Sequence, residues 1–259
     1  MMGYEIIVAD PAKNITIMVL NKVENRVEAA RFLLADAALG AEQVGFVVPP
    51  KNLQGIWRLE MMGGEFCGNA ARSFGLLVAR MQGLQGNQTV TIGMSGMQDL
   101  LPVMVDLEQG TAAVRIPRPL AQATLDIDGQ SLPVYHFDGI THVIAPDLLP
   151  GKLLFYDIKN RLKGDPDALG VMFYDTHSQI MRPAVYVYAT DSLVFESSCG
   201  SGSAALAVWA TRDRVEGEGR CEVVQPGGII EVRVRKRQGV ITDISIGGPV
   251  TLSERRYIG

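Results

Sequence analysis

Short apolar runs, cut by turn residues, alternate along this chain with a few stretches of helical periodicity. Ile6-Ile7-Val8-Ala9 and Ile15 to Leu20 read as β-strands around a polar turn at Pro11-Ala12-Lys13-Asn14. From Val23 to Leu39 apolar residues recur at helical spacing and stop at Gly40, which predicts a helix with a glycine terminus. A second helix is predicted from Cys67 to Met81, apolar on nearly all sides through Ala70, Ala71, Phe74, Leu76, Leu77 and Val78. A third runs from Gly202 to Thr211 through Ala204, Leu206, Val208 and Trp209. Helices that are apolar all round are buried, so each is expected at the centre of its own domain. After each come short strands rich in Val, Ile and Thr, broken at Glu108-Gln109-Gly110 and Arg237-Gln238-Gly239.

The pattern occurs twice. Val44 to Pro49, Trp57 to Glu60 and Gly64-Glu65-Phe66 precede Cys67, as Leu169 to Phe173, Val185 to Tyr188 and Phe195-Glu196-Ser197-Ser198 precede Cys199. Downstream, Thr89 to Ile92 leads through Ser95-Gly96 to Leu101 to Val105 and Ala113 to Pro117. Its counterpart is Cys221 to Val224, leading through Gly227-Gly228 to Ile230 to Val234 and Ile244 to Gly247. The two cysteines are 132 positions apart, and so are Gly96 and Gly228. A constant offset on both sides of the motif predicts an α/β (α+β) protein of two pseudo-symmetric domains. Each is expected to be a curved, mostly antiparallel sheet wrapped around a central helix. Residues 1–117 with 249–259 form the expected N-terminal domain carrying Cys67, and 118–248 the C-terminal domain carrying Cys199. Pro117-Arg118-Pro119 is the candidate hinge, and the tail from Gly248 returns to complete the first sheet.

Composition narrows the function. A chain of 259 residues, 47% apolar and 20% charged, has a core of ordinary globular size. The net charge of −4 offers no footprint for nucleic acid, so a small diffusible substrate is the expected partner. No run approaches the roughly 18 apolar residues of a membrane span, and Met1-Met2-Gly3-Tyr4-Glu5 does not resemble a secretory leader. A cytoplasmic protein without membrane partners is therefore expected. Three cysteines without Cys-x-x-Cys or His-x-x-x-His spacing predict thiols and no metal.

Cys67-Gly68-Asn69-Ala70-Ala71-Arg72 and Cys199-Gly200-Ser201-Gly202-Ser203-Ala204 carry the candidate chemistry. A cysteine at the first turn of a helix lies near the positive end of the helix dipole and beside unpaired N–H groups, and both favour thiolate. The same N–H groups can hold a carboxylate, and Gly68 and Gly200 leave room for its approach. An amino acid gripped by two such helix ends has its Cα between two sulfurs. One thiolate removes the α-proton and the opposing thiol delivers a proton to the other face, inverting the centre with no cofactor required. Cys221, in Arg220-Cys221-Glu222-Val223 with no following glycine, reads as structural.

At these residues the chain resembles the diaminopimelate epimerase superfamily of cofactor-independent racemases and epimerases. Its two catalytic cysteines lie in Cys-Gly-Asn-Gly-Ala-Arg and Cys-Gly-(Ser/Thr)-Gly-Ala motifs. Glu65 to Arg72 departs from the first in having Phe66 before the cysteine and Ala70 for glycine, and Cys199 to Gly202 matches the second. Pro226-Gly227-Gly228 resembles the family's Pro-Gly-Gly turn, and Gln88 to Pro117 its strand region. The resemblance covers nearly the whole chain and implies catalytic Cys67 and Cys199, with the site between the two domains. It implies substrate contacts from Asn14, Gly68, Asn69, His142, Gly200 and Ser201, and a homodimer as candidate assembly.

The family's specificity residues do not carry over. Ile140, in Gly139-Ile140-Thr141-His142, replaces the asparagine that grips diaminopimelate, and Glu60-Met61-Met62-Gly63-Gly64 replaces Asn-Ala-Asp-Gly-Ser. The Glu-Arg-Gly before the second cysteine, whose glutamate helps position catalytic groups, is absent; Ala189-Thr190-Asp191 stands in its place. Glu65 and Glu196 are candidates to substitute, and solvated loop carboxylates are an equal reading. His142 is a candidate orienter of a thiol, and a packed loop histidine is the other reading. Met61, Met62 and Met172 either line a less polar pocket or fill the core. The expected function is a racemase or epimerase independent of pyridoxal phosphate, with a substrate other than diaminopimelate; histidine, a substrate of some members, is a candidate. The alternatives are a diaminopimelate epimerase with rearranged anchors, a silent small-carboxylate-binding protein, and a double-bond isomerase of the same fold.

Overall fold

The computed structural model describes residues 3–51, 55–162, 164, 166–188 and 191–259. The chain divides into two compact units: residues up to Arg115 together with Gly247–Gly259, and Ile116–Ile246.

The first unit is built from β1 (Tyr4–Asp10), β2 (Thr16–Val19), α1 (Arg26–Ala35), β3 (Gln43–Val48), β4 (Arg58–Met61), α2 (Gly68–Met81), β5 (Asn87–Met94), β6 (Leu101–Asp106) and β7 (Thr111–Arg115). In the second, β8 (Ala121–Ile127), β9 (Gln130–Phe137) and β10 (Ile140–Pro146) are followed by α3 (Lys152–Arg161), β11 (Ala168–Asp175), β12 (Ile180–Val187) and β13 (Ser192–Phe195). There follow α4 (Gly200–Ala210), β14 (Gly217–Gln225), β15 (Gly228–Arg237) and β16 (Val240–Pro249), which runs back into the first unit. The short strands β17 (Thr251–Leu252) and β18 (Arg256–Ile258) close the chain.

Pairing modes recur in the same order in both units. β1·β2 is antiparallel, β2·β3 parallel, β3·β4 antiparallel, β4·β5 parallel and β5·β6 antiparallel. The series β9·β10, β10·β11, β11·β12, β12·β14 and β14·β15 repeats it. Parallel neighbours need a long crossover, and each of these four parallel pairs is joined by a connection carrying a helix: α1, α2, α3 and α4 in turn. The tail pairs with β1, placing Leu252 opposite Ala9 and Ile258 opposite Tyr4.

α2 packs against β5, β6 and β7, and α4 against β14, β15, β10 and β11. Residues 69–79 of α2 are all buried, as the sequence pattern implies. Gly75 permits the close approach: a Cβ there would lie 2.5 Å from Val103 on β6. The outer helices cover the other side of each sheet, α1 through Ala29, Ala30 and Leu33 and α3 through Phe155 and Ile158. Burying Phe155 and Ile158 contributes about 1.5–3 kcal/mol each.

Three helix boundaries differ from the sequence reading by more than one residue, each for a local reason. α1 starts at Arg26 because the Asn25 side chain accepts the Glu28 N–H and donates to the Glu28 carboxylate, a reciprocal cap. It stops at Ala35 because the Asp36 carboxylate takes the Ala38 N–H and competes with the helix. α4 starts at Gly200, not Gly202, because Cys199 itself is the cap; two small residues of poor helix propensity concealed the first turn. α3 was not predicted: only two of its ten residues are buried, so its apolar stripe is thin.

Candidate active site

Cys67 and Cys199 occupy the same structural position in their units. Each is the N-cap of the central helix in extended backbone, at φ −127°, ψ 113° and φ −129°, ψ 118°. An α-helix begins with four N–H groups that lack intrahelical partners, and each sulfur accepts one of them. Cys67 Sγ takes the Ala70 N–H at 3.5 Å, and Cys199 Sγ the Gly202 N–H at 3.3 Å. Both sulfurs thereby sit in the positive field of a helix start.

The segment before each cysteine is pinned by the glycine turn noted in the repeat. Gly96 (φ +70°) lies so close to the first that a Cβ would meet the Phe66 nitrogen at 2.4 Å. Ser95 accepts the Met61 N–H and donates its hydroxyl to the Glu65 carbonyl at 2.8 Å. In the second unit the Gly227 N–H donates to the Ser197 carbonyl at 2.8 Å. Gln225, just before that turn, closes a ring around Cys199. Its carbonyl accepts the Cys199 N–H at 2.8 Å, its amide donates to Ser203 Oγ at 3.0 Å, and Ser203 donates to the Cys199 carbonyl at 2.6 Å.

Residues 5–255 match the family described as "Histidine racemase CntK N-terminal domain". The chain belongs to this family. It is 32% identical to a histidine racemase of Fusobacterium nucleatum over 94% of this chain and 92% of that one. With a histidine racemase of Staphylococcus aureus it shares 27% identity over 93% and 92% of the two chains. Its fold is similar to that of a hydroxyproline epimerase from Agrobacterium vitis with trans-4-hydroxy-L-proline bound, at a TM-score of 0.65 and 12% identity, covering 99% of this chain and 92% of that one. The protein is accordingly an isomerase of the racemase and epimerase superfamily that its two motifs resemble, and the expected α/β architecture is the one observed.

The structure gives each remaining candidate a place in one unit. Asn14 and Asn69, both buried in the first, belong to one network. Asn14 Oδ1 accepts from Gln43 at 2.7 Å and from Asn69 at 3.2 Å, while its amide donates to Glu42 at 2.6 Å. Asn69 Oδ1 in turn accepts from Arg72 Nε at 3.1 Å. The two asparagines thus orient one another at the first turn of α2. Gly68 opens α2 and Gly200 opens α4. Glu65 is exposed; Glu196 is half-buried, and its N–H donates to the Pro183 carbonyl. Ala189 and Thr190 lie outside the described residues, whereas the Asp191 carboxylate receives the Tyr186 hydroxyl, a bond that pushes Tyr186 up to about 12. Met172 is fully buried against the start of α4, where a Cβ on Gly202 would meet its sulfur at 2.1 Å and Cys199 Sγ at 3.2 Å; Met62 is exposed.

His142 is fully buried on β10, directly opposite Gly170 of β11. A Cβ on Gly170 would lie 2.3 Å from its Nδ1, so the ring occupies space that a glycine leaves. Its Nε2 is 2.9 Å from Ser201 Oγ, and Phe137 meets its ring edge-on at 5.7 Å. Burial pushes the imidazole down to about 3, which keeps it neutral at ordinary pH. The consequence for stability has a definite sign. A histidine titrating lower in the fold than when unfolded stabilises the fold fully above the unfolded value, and that contribution is lost as pH falls through the window from about 6.5 to about 3. Between pH 7 and pH 5 the loss is about 2 kcal/mol. Urea unfolding at both pH values checks this, because His142→Gln should remove that part of the acid sensitivity while shared carboxylate effects cancel.

Arg72 and Gln225 are the positions that sequence reasoning passed over. Arg72 was legible only as a motif letter, yet it is fully buried and donates to the Gly248 and Pro249 carbonyls at 2.9 and 3.1 Å. Gln225 precedes the Pro-Gly-Gly turn, and that adjacency was the one available signal. Among the described residues no group of His, Cys, Asp and Glu is arranged to hold a metal, and no helix is long and apolar enough to cross a membrane.

Proposed function

We propose that the protein racemises histidine, with Cys67 and Cys199 as the paired acid and base and without pyridoxal phosphate. The observation that carries this reading is the repeated cap: both sulfurs accept an N–H at the start of a buried helix with nearly the same backbone angles. One cysteine at a helix start has ordinary structural explanations; two in matching positions of a duplicated fold supply what a two-base inversion needs. The reaction takes the α-proton onto one thiolate and returns a proton from the other thiol to the opposite face. Because that α-proton is a weak acid, the charge developing toward the carboxylate must be stabilised, and N–H groups at helix starts are suited to it. The cytoplasm keeps both thiols reduced.

Histidine is favoured by the relatives named histidine racemase, and Ile140, which stands where the resemblance places a diaminopimelate-gripping asparagine, counts against diaminopimelate. A site built to hydrogen-bond a polar substrate end loses that selectivity when the anchor becomes apolar. Incubation in deuterated water with L-histidine, LL-diaminopimelate and L-proline in parallel tests the assignment. Deuterium at Cα and appearance of the D-enantiomer are expected with histidine. Exchange confined to diaminopimelate or proline would overturn the substrate, and exchange with none of a wider amino-acid panel would overturn the activity.

A further inference from the structure

We propose that Ser201 is a positioning residue for Cys199: its hydroxyl receives the Nε2–H of His142 and aims its own proton at the Cys199 sulfur. The distances form a chain within one unit, 2.9 Å from His142 Nε2 to Ser201 Oγ and 3.6 Å from Ser201 Oγ to Cys199 Sγ. Proton counting sets its direction. A hydroxyl has one hydrogen to donate. If Nε2 were bare, Ser201 would spend that hydrogen on the ring, and Nδ1 would carry an N–H. Yet Nδ1 is buried without a hydrogen-bond partner among the described residues, packed where even a Cβ on Gly170 would not fit. With the proton on Nε2, Nδ1 is a bare acceptor, Ser201 accepts from the ring, and its hydrogen is left for the sulfur.

His142 is then a fixed dipole and not itself a proton carrier, consistent with an imidazole kept neutral by burial. Together with the Gly202 N–H at 3.3 Å, the Ser201 hydroxyl gives the thiolate two donors from the first turn of α4. The first repeat has Asn69 at the position of Ser201, and its side chain is engaged with Asn14 and Arg72. The relay therefore belongs to one thiol of the two.

This inference builds on the reading of Cys199 as an acid and base, but thiol reactivity and turnover report on the two separately. Alkylation by iodoacetamide across a pH series, resolved by peptide mass spectrometry, follows Cys67 and Cys199 in the same sample. Ser201→Ala should raise the midpoint for Cys199 by about one pH unit, as expected for losing one hydrogen bond to a charged acceptor, and leave Cys67 in place. Ser201→Thr, which keeps the hydroxyl, should hold the parent midpoint. In turnover, S201A should lower kcat/KM about tenfold at pH 7. The factor must be the same from either enantiomer, because the overall equilibrium constant between enantiomers is one. An unmoved Cys199 midpoint in S201A overturns the proposal, as does an equal shift of both thiols or a threonine variant that behaves like alanine. A shifted midpoint in a protein that does not racemise histidine would sustain the relay and remove the substrate assignment instead.

Discussion

Cys67→Ala and Cys199→Ala are each expected to lower racemisation by about 10³-fold or more, the scale of losing a positioned acid or base. Inversion needs both a base on one face and an acid on the other, so neither thiol covers for its partner. Partial activities should differ. A variant with one remaining thiol can still remove a proton from one enantiomer and return a solvent-derived one to the same face. Cys67→Ala should then exchange the Cα hydrogen of one enantiomer without inverting it, and Cys199→Ala that of the other. Cys221→Ala is the internal control and should stay within about twofold of the parent. Cys221 lies in β14 opposite Val232, half-buried, and burial pushes its thiol up, away from the reactive thiolate form. Proton NMR in deuterated water, started separately from D- and L-histidine, reads all three variants. Parent-like turnover in either single-cysteine variant would end the two-thiol mechanism.

Arg72→Met should destabilise the protein by about 1–3 kcal/mol, the range for leaving a buried hydrogen-bond acceptor without its donor. Methionine approximates the aliphatic stem, so the change isolates the guanidinium. That group donates from the middle of α2 to the Gly248 and Pro249 carbonyls and to Asn69 Oδ1. Those carbonyls begin the segment leading to β17 and β18, which pair with β1. Loss of Arg72 leaves the buried Gly248 oxygen and the partly buried Pro249 oxygen short of a donor and loosens Asn69 in the first turn of α2. The urea midpoint should fall, while Arg80→Ala, which removes an exposed cation in the last turn of the same helix, should move stability by no more than about 0.5 kcal/mol. Equal effects at both positions would mean that charge on α2, and not this burial, governs stability.

Local signals in the chain were enough for the strands around Cys67 and Cys199, the two buried helices and the duplication. Each depends on residues close in sequence or on the constant offset of 132 positions. A run such as Ala70 to Val78, polar only at Arg72 and Ser73, is apolar on nearly all sides wherever the helix is placed, and a cysteine followed by glycine marks a helix start before any partner is known. α3 escaped because its buried stripe is only Phe155 and Ile158, too sparse for periodicity to stand out. The partners of the site residues were beyond such signals. His142 meets Ser201 from 59 positions away, Asn69 meets Asn14 from 55, and Arg72 reaches Gly248 from 176. Those meetings are set by strand register and helix seating: β10 must lie parallel to β11 with His142 opposite Gly170, and α4 must begin at Gly200 for Ser201 to fall in its first turn. The residue types carry the expectation of a thiol chemistry, and only packing decides which side chains hold each sulfur in place.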